Sequence, residues 1–247
     1  MNEQMRRQYL EAMGVDVWLS RSPIQAEVTP LDLTGAVTAP VSVGSTVQST
    51  AQPRTSNPEE VALWQDLSRE VRSCQACVLS EQRTQAVFGS GDRDADWLIV
   101  GEAPGQEEDK QGEPFVDTSG LLLNDMLFAL GLKREQVFVT NVVKCRPAQK
   151  RDLRTDEIAS CANYLRRQVD LVKPKIILLL GRVAAQSILS STANIGDMRG
   201  STHYFPDTKI PMVIAYHPAY LIRKPLDKRK MWQDLQYAYR VYSQGEG

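Results

Sequence analysis

Four short apolar runs mark the second half of the chain: Trp97-Leu98-Ile99-Val100, Val137-Phe138-Val139-Thr140, Ile176-Ile177-Leu178-Leu179-Leu180 and Met212-Val213-Ile214-Ala215. None is broken by a charge, as a strand covered on both faces of a parallel sheet requires. Helical patterns separate them: Leu121 to Leu130, Thr155 to Val172 and Val183 to Leu189. Thr155 followed by Asp156-Glu157 makes a good helix start. Pro58-Glu59-Glu60 opens a further helix running towards Cys74. Strands alternating with helices predict a three-layer α/β/α domain around a central four-stranded parallel sheet. Such sheets bind ligands beyond the carboxyl ends of their strands. The residues with most chemistry fall there: Glu102 after the first run, Asn141 after the second and His217 after the fourth, with Arg182 on the same rim.

The first part of the chain reads differently. Leu10, Met13 and Val17 recur at helical spacing between Gln4 and Arg21, with Tyr9 and Trp18 near the same face. Gly14 weakens that helix by about 1 kcal/mol relative to alanine. From Ser22 to Asn57 small residues, threonine and proline dominate without periodicity, which predicts a linker. The division is therefore residues 1–57, a short amphipathic helix on a flexible arm, and residues 58–247, the α/β domain.

Charge changes the picture only locally. The net charge is −1, which argues mildly against a polyanionic partner. Yet five basic residues and one acid lie between Lys144 and Arg154, and the same numbers between Arg223 and Lys230. Five acids and one base lie between Glu102 and Glu113. Basic patches beside an acidic cleft suit phosphate contact, although solvated loops look the same. No apolar run is long enough to cross a bilayer, and Met1-Asn2-Glu3-Gln4 lacks the order of a signal peptide. A cytoplasmic protein, a monomer and free or metal-bound thiols are expected.

Four motifs carry chemistry. Cys74 and Cys77 form a CxxC, with Cys145 after the second strand and Cys161 on the following helix. Four thiolates suit a tetrahedral zinc or a [4Fe–4S] cluster, or the last two cysteines are simply small core residues. Gly101-Glu102-Ala103-Pro104-Gly105 follows a strand, and its glycines allow backbone N–H groups close to a ligand. It is neither a dinucleotide fingerprint nor a Walker loop. Gly112-Glu113-Pro114-Phe115 holds an aromatic that either plugs the core or stacks on a base. His217-Pro218 places an imidazole at a strand end, suited to donating to a developing anion. His203 has no such setting.

Together the segments GEAPGQEED (residues 101–109), GEPFV (112–116), TNVVKCRP (140–147) and HPAYLIR (217–223) resemble family 4 uracil-DNA glycosylases, the iron–sulfur branch of that superfamily. The resemblance implies that Cys74, Cys77, Cys145 and Cys161 hold a [4Fe–4S] cluster and that the partner is DNA containing uracil. It implies catalytic roles for Glu102, which orients water or stabilises the sugar cation, and for His217, which donates to uracil O2. Phe115 stacks on the base, Asn141 reads its edge, and Ala103, Gly105 and Glu108 complete the pocket. Tyr220, Leu221, Arg223 and Lys224 lie on a loop that meets the DNA, Leu221 among the residues entering the gap left by the base. The basic stretch Lys144–Arg154 becomes a DNA surface ordered by the cluster.

The family's sequence after PFV usually begins with glycine, whereas this chain has Asp117, a carboxylate near the pocket. Residues 7–15 with Trp18 also resemble the N-terminal peptide of the bacterial polymerase psi subunit, implying a contact between residues 1–21 and the clamp-loader chi subunit. Competing readings are a glycosylase for another damaged base, a non-catalytic replication accessory protein, and an electron-transfer protein. The last two leave Glu102, Asn141 and His217 unexplained.

Overall fold

The four apolar runs do form parallel strands. In the computed structural model, which describes residues 57–148 and 151–245, β2 (Trp97–Gly101), β3 (Val137–Asn141), β4 (Ile176–Leu180) and β6 (Pro211–Ala215) lie in the order β3-β2-β4-β6. The sheet has six strands rather than the four expected. Two-residue antiparallel strands, β1 (Ser90–Gly91) beside β3 and β5 (His203–Tyr204) beside β6, close its edges. Neither is long enough to leave a hydrophobic pattern. The arm and its expected chi contact lie outside the described residues.

Both faces of the sheet are covered. Leu98, Val100, Ile177, Leu179, Met212 and Ile214 pack with Trp64, Leu165, Val169 and Ala184. These partners come from α1 (Pro58–Ser73), α4 (Thr155–Val172) and α5 (Arg182–Leu189). Trp97, Ile99, Leu178, Val213 and Ala215 face Leu123, Leu127, Leu221, Met231 and Leu235 on the other side. Those belong to α3 (Thr118–Ala129), α7 (Pro218–Arg223) and α8 (Lys228–Gln244). The remaining helices are α2 (Gln106–Gln111) and α6 (Ile195–Met198). This is the three-layer arrangement. Among the described residues, no helix is long and apolar enough to cross a membrane.

Local chemistry sets the helix starts. Asn57 caps α1 through its side chain, with Pro58 at the first turn, where its missing N–H costs nothing. Asp117 caps α3: its Oδ1 accepts from the Ser119 N–H at 2.8 Å and the Gly120 N–H at 3.2 Å. The carboxylate that departs from the family pattern is thus engaged at a helix start. Asp117→Ala is expected to cost about 0.5–2 kcal/mol, checked by urea denaturation. An unchanged midpoint would mean the cap contributes nothing. Pro218–Arg223 form a helix, α7, and not the expected loop. Pro218 stands at its first position, and the His217 side chain caps it.

Candidate active site

Beyond the carboxyl ends of the parallel strands lies an open cleft of about 390 Å³. Glu102, Ala103 and Gly105 form one wall, His217, Tyr220 and Arg223 another, and Arg146 and Arg151 a third. Glu102 follows β2 directly, and His217 stands two residues past β6. Six sequence-predicted site residues therefore meet at one opening.

His217 is held by its own helix. The Ala219 N–H donates to its Nδ1 at 3.2 Å. Burial lowers its pKa to about 4, against the weaker upward pull of Asp117. At neutral pH the ring is uncharged, and since Nδ1 accepts, its proton sits on Nε2. The ring stacks on Phe115, with centroids 5.4 Å apart and planes at 26°. Phe115 has φ of +56°, a backbone that costs a bulky residue about 1–3 kcal/mol and tends to persist at functional sites.

Asn141 ends β3, pairs in register with Gly101, and is 2% exposed. Its Nδ2 is buried without a hydrogen-bond partner among the described residues. An orphan donor costs about 1–3 kcal/mol, which an acceptor from a bound ligand or water recovers. Gly101 makes the neighbourhood possible: a Cβ there would stand 2.8 Å from Phe115 Cζ and closer still to Asn141 Oδ1.

Glu102 is half-buried. Burial raises its pKa, Asp152 raises it further and Arg182 opposes both. Arg182 bridges Asp152 at 2.8 Å. Glu108 does not line the cleft as expected. It is buried behind the wall, where its carboxylate accepts from the Gly105 N–H, and from the Phe115 N–H at 2.7 Å. It shapes the pocket from outside.

The expected DNA contacts are redistributed. Leu221 is 1% exposed and packs in the core below α7, so it cannot enter a base stack from there. Leu226, 95% accessible in the short turn Pro225–Asp227, and Ile222, 43% accessible on α7, are the exposed apolar side chains there. Tyr220 keeps its place on the cleft, its hydroxyl donating to Asp227 at 2.6 Å, while Lys224 is exposed beside the turn. Lys144 also leaves the predicted basic surface. It is 1% exposed, and its ammonium donates to Thr140 Oγ1 at 2.6 Å, the Asn141 carbonyl at 2.7 Å and Gln168 Oε1 at 2.6 Å. Burial lowers its pKa to about 7. It anchors the strand end that carries Asn141, a role the sequence reading missed. His203, expected to have no chemical role, donates from Nε2 to the Met198 carbonyl at 2.8 Å.

None of the four cysteines is in a disulfide. Among the described residues, no group of three or more His, Cys, Asp or Glu stands as a ready metal site. The thiols are nonetheless electrostatic neighbours. Burial raises the Cys145 pKa, Arg83 lowers it, and Cys77 and Cys74 raise it. Burial also pushes Cys161 up to about 11, with Lys144 opposing and Cys145 and Cys77 adding. Arg83 ties the two cysteine segments together. It donates to Cys145 Sγ and to the Cys74 carbonyl, each at 2.8 Å. An all-sulfur donor set beside two cations fits an anionic iron–sulfur cluster in its chemistry.

The family model of the uracil DNA glycosylase superfamily matches this chain over residues 88–236. The chain is 40% identical to the type-4 uracil-DNA glycosylase of Archaeoglobus fulgidus over 166 residues, 65% of this chain and 83% of that protein. It is 42% identical over 177 residues to the type-4 enzyme of Sulfurisphaera tokodaii, covering 69% of this chain and 80% of that protein. With the Thermotoga maritima type-4 enzyme it shares 36% over 179 residues, 71% of this chain and 93% of that protein. The chain belongs to the type-4 family of uracil-DNA glycosylases.

Proposed function

We propose that this chain hydrolyses the N-glycosidic bond of deoxyuridine in DNA with His217 and Glu102 as its catalytic residues. The observation that carries this reading is His217 on the lining of the cleft, its Nδ1 accepting from the Ala219 N–H, which assigns the ring proton to Nε2. As the bond breaks, negative charge gathers on the uracil and positive charge on the sugar. The Nε2–H donates to uracil O2 as that charge develops. Glu102, across the cleft, orients the attacking water or stabilises the sugar cation. Phe115 stacks on the ring, and the orphan Asn141 Nδ2 donates to O4 while Oδ1 accepts from N3–H. Cytosine presents the opposite order on that edge, so a fixed amide rejects it.

The duplex hides its bases, so the target is bound single-stranded or flipped. Arg146, Arg151, Arg223 and Lys224 hold phosphates around the opening. Leu226, in place of Leu221, is the apolar group offered to the vacated stack. Cys74, Cys77, Cys145 and Cys161 hold a [4Fe–4S] cluster. When bound, that group supplies a cross-link between the segment before β1 and the segment that opens α4. Glycosidic hydrolysis needs no electrons from it.

A labelled single-stranded oligonucleotide with one uracil, treated with alkali to reveal the abasic site, tests the reaction. Wild-type protein is expected to cleave it, and His217→Leu to lower kcat about 10²–10³-fold, as loss of one oxyanion donor does. Unchanged kcat in the variant would remove His217 from the chemistry. No cleavage by iron-loaded wild-type protein would overturn the reading as a whole.

A further inference from the structure

The uracil platform is set by a pair of opposite charges that never touch the cleft. The peptide unit between Pro114 and Phe115 is gripped at both ends. Its N–H donates to Glu108 Oε1 at 2.7 Å. Its carbonyl accepts from Arg134 Nη2 at 2.9 Å. The two grips come from unrelated elements: Glu108 from α2, and Arg134 from the short turn Arg134–Gln136 that leads into β3. That peptide plane fixes the start of the left-handed turn at Phe115, φ +56°. The ring it aims packs on His217 and abuts Gly101.

Arg134 is poorly explained as a device for stability alone. Its Nη1 is buried without a hydrogen-bond partner among the described residues. Its Nη2 also donates to the Ser90 hydroxyl, a longer bond of 3.4 Å. A guanidinium kept half-buried with one nitrogen unsatisfied is a costly way to fill space. Its well-made contact is the Pro114 carbonyl. Charge-assisted bonds at both ends of one peptide are strong and directional.

We infer that Arg134 and Glu108 act together as positioning residues that orient Phe115 for uracil. The inference rests on the reading of Phe115 as the stacking surface and names what holds it. Tilt of that ring weakens base binding in the ground state and the transition state alike, so KM and product affinity move more than kcat.

The test measures inhibition by free uracil, KM and kcat on the single-stranded uracil oligonucleotide, and thermal midpoint. The proteins are wild type, Arg134→Met, Arg134→Gln, Arg134→Lys, Phe115→Ala and Phe115→Ala with Arg134→Met. Arg134→Met is expected to raise the uracil inhibition constant and KM about tenfold or more, with a smaller change in kcat. Arg134→Lys, which keeps a charged donor, recovers part of the loss. In the Phe115→Ala background, Arg134→Met adds nothing further to the inhibition constant. Arg134→Gln carries the test if the methionine variant does not fold. A lowered thermal midpoint with wild-type uracil inhibition would overturn the inference. So would an undiminished effect of Arg134 in the alanine background. Phe115→Ala that binds uracil as wild type does would instead defeat the stacking reading, a separate result.

Discussion

Glu102→Gln is expected to lower kcat on a single-stranded uracil substrate by about 10²–10⁴-fold, the range that positioned acid–base groups supply. The loss falls on kcat because the carboxylate meets charge and water only as the bond breaks. The pH profile gives a second check. In the proposed role Glu102 acts as a carboxylate, and burial and Asp152 raise its pKa above the ordinary 4.5. The rate therefore falls as pH drops through that raised value. His217, lowered to about 4, changes charge only at the acid end of that profile, and the Asp152 and Arg182 variants tell the two groups apart. Asp152→Asn is expected to move the acid limb to lower pH, since it removes a repelling charge. Arg182→Gln is expected to move it higher, since it removes an attracting one. Single-turnover rates from pH 4 to 8, on the order of the usual titration range of such groups, decide it. A limb that ignores both substitutions belongs to another residue.

Gly101→Ala is the second change expected to have a large effect, and it acts through space alone. The added methyl meets Phe115 Cζ at 2.8 Å and Cε2 at 2.9 Å, with Asn141 Oδ1 nearer still. Neither neighbour yields readily. Asn141 ends a strand paired on one side with β2, and the Phe115 backbone is already bonded to Glu108. The Phe115 ring and the Asn141 amide, the proposed base-reading pair, are pushed apart together. A displacement near 1 Å in a catalytic geometry costs about 10²-fold, and overpacking of this kind costs about 1–3 kcal/mol of stability. The expected result is kcat/KM down about a hundredfold or more, with a folded protein by circular dichroism. Near wild-type kcat/KM would show that the ring and the amide do not form one pocket wall.

Much of this was legible in the residues. The four parallel strands are uninterrupted apolar runs, and α4 begins at Thr155 and ends at Val172, as its pattern predicts. The strand-end position of Glu102 and His217 followed from that pattern, and both line the cleft. What escaped was what depends on distant partners. Lys144 looked like one of several surface cations, because Gln168, which buries it, lies 24 positions away. Arg134 carried no local signal for its bond to Pro114. The segment Pro218–Arg223 was expected as a loop because the resemblance set it against DNA, although a proline at a first helical position is compatible with a helix. That expectation placed Leu221 in the gap left by the base, whereas the helix turns it into the core. The spacing of Met231, Leu235, Ala238 and Tyr242 did announce α8 and went unread.

The two-residue strands at either edge of the sheet carry a consequence for the protein in a crowded cell. A long bare edge is a template on which a second chain adds its own strand. Here Ser90–Gly91 and His203–Tyr204 occupy those borders, each paired inward and each too brief to seed a ribbon. Among the described residues, backbone recruitment of a second chain into insoluble fibres finds little to begin from.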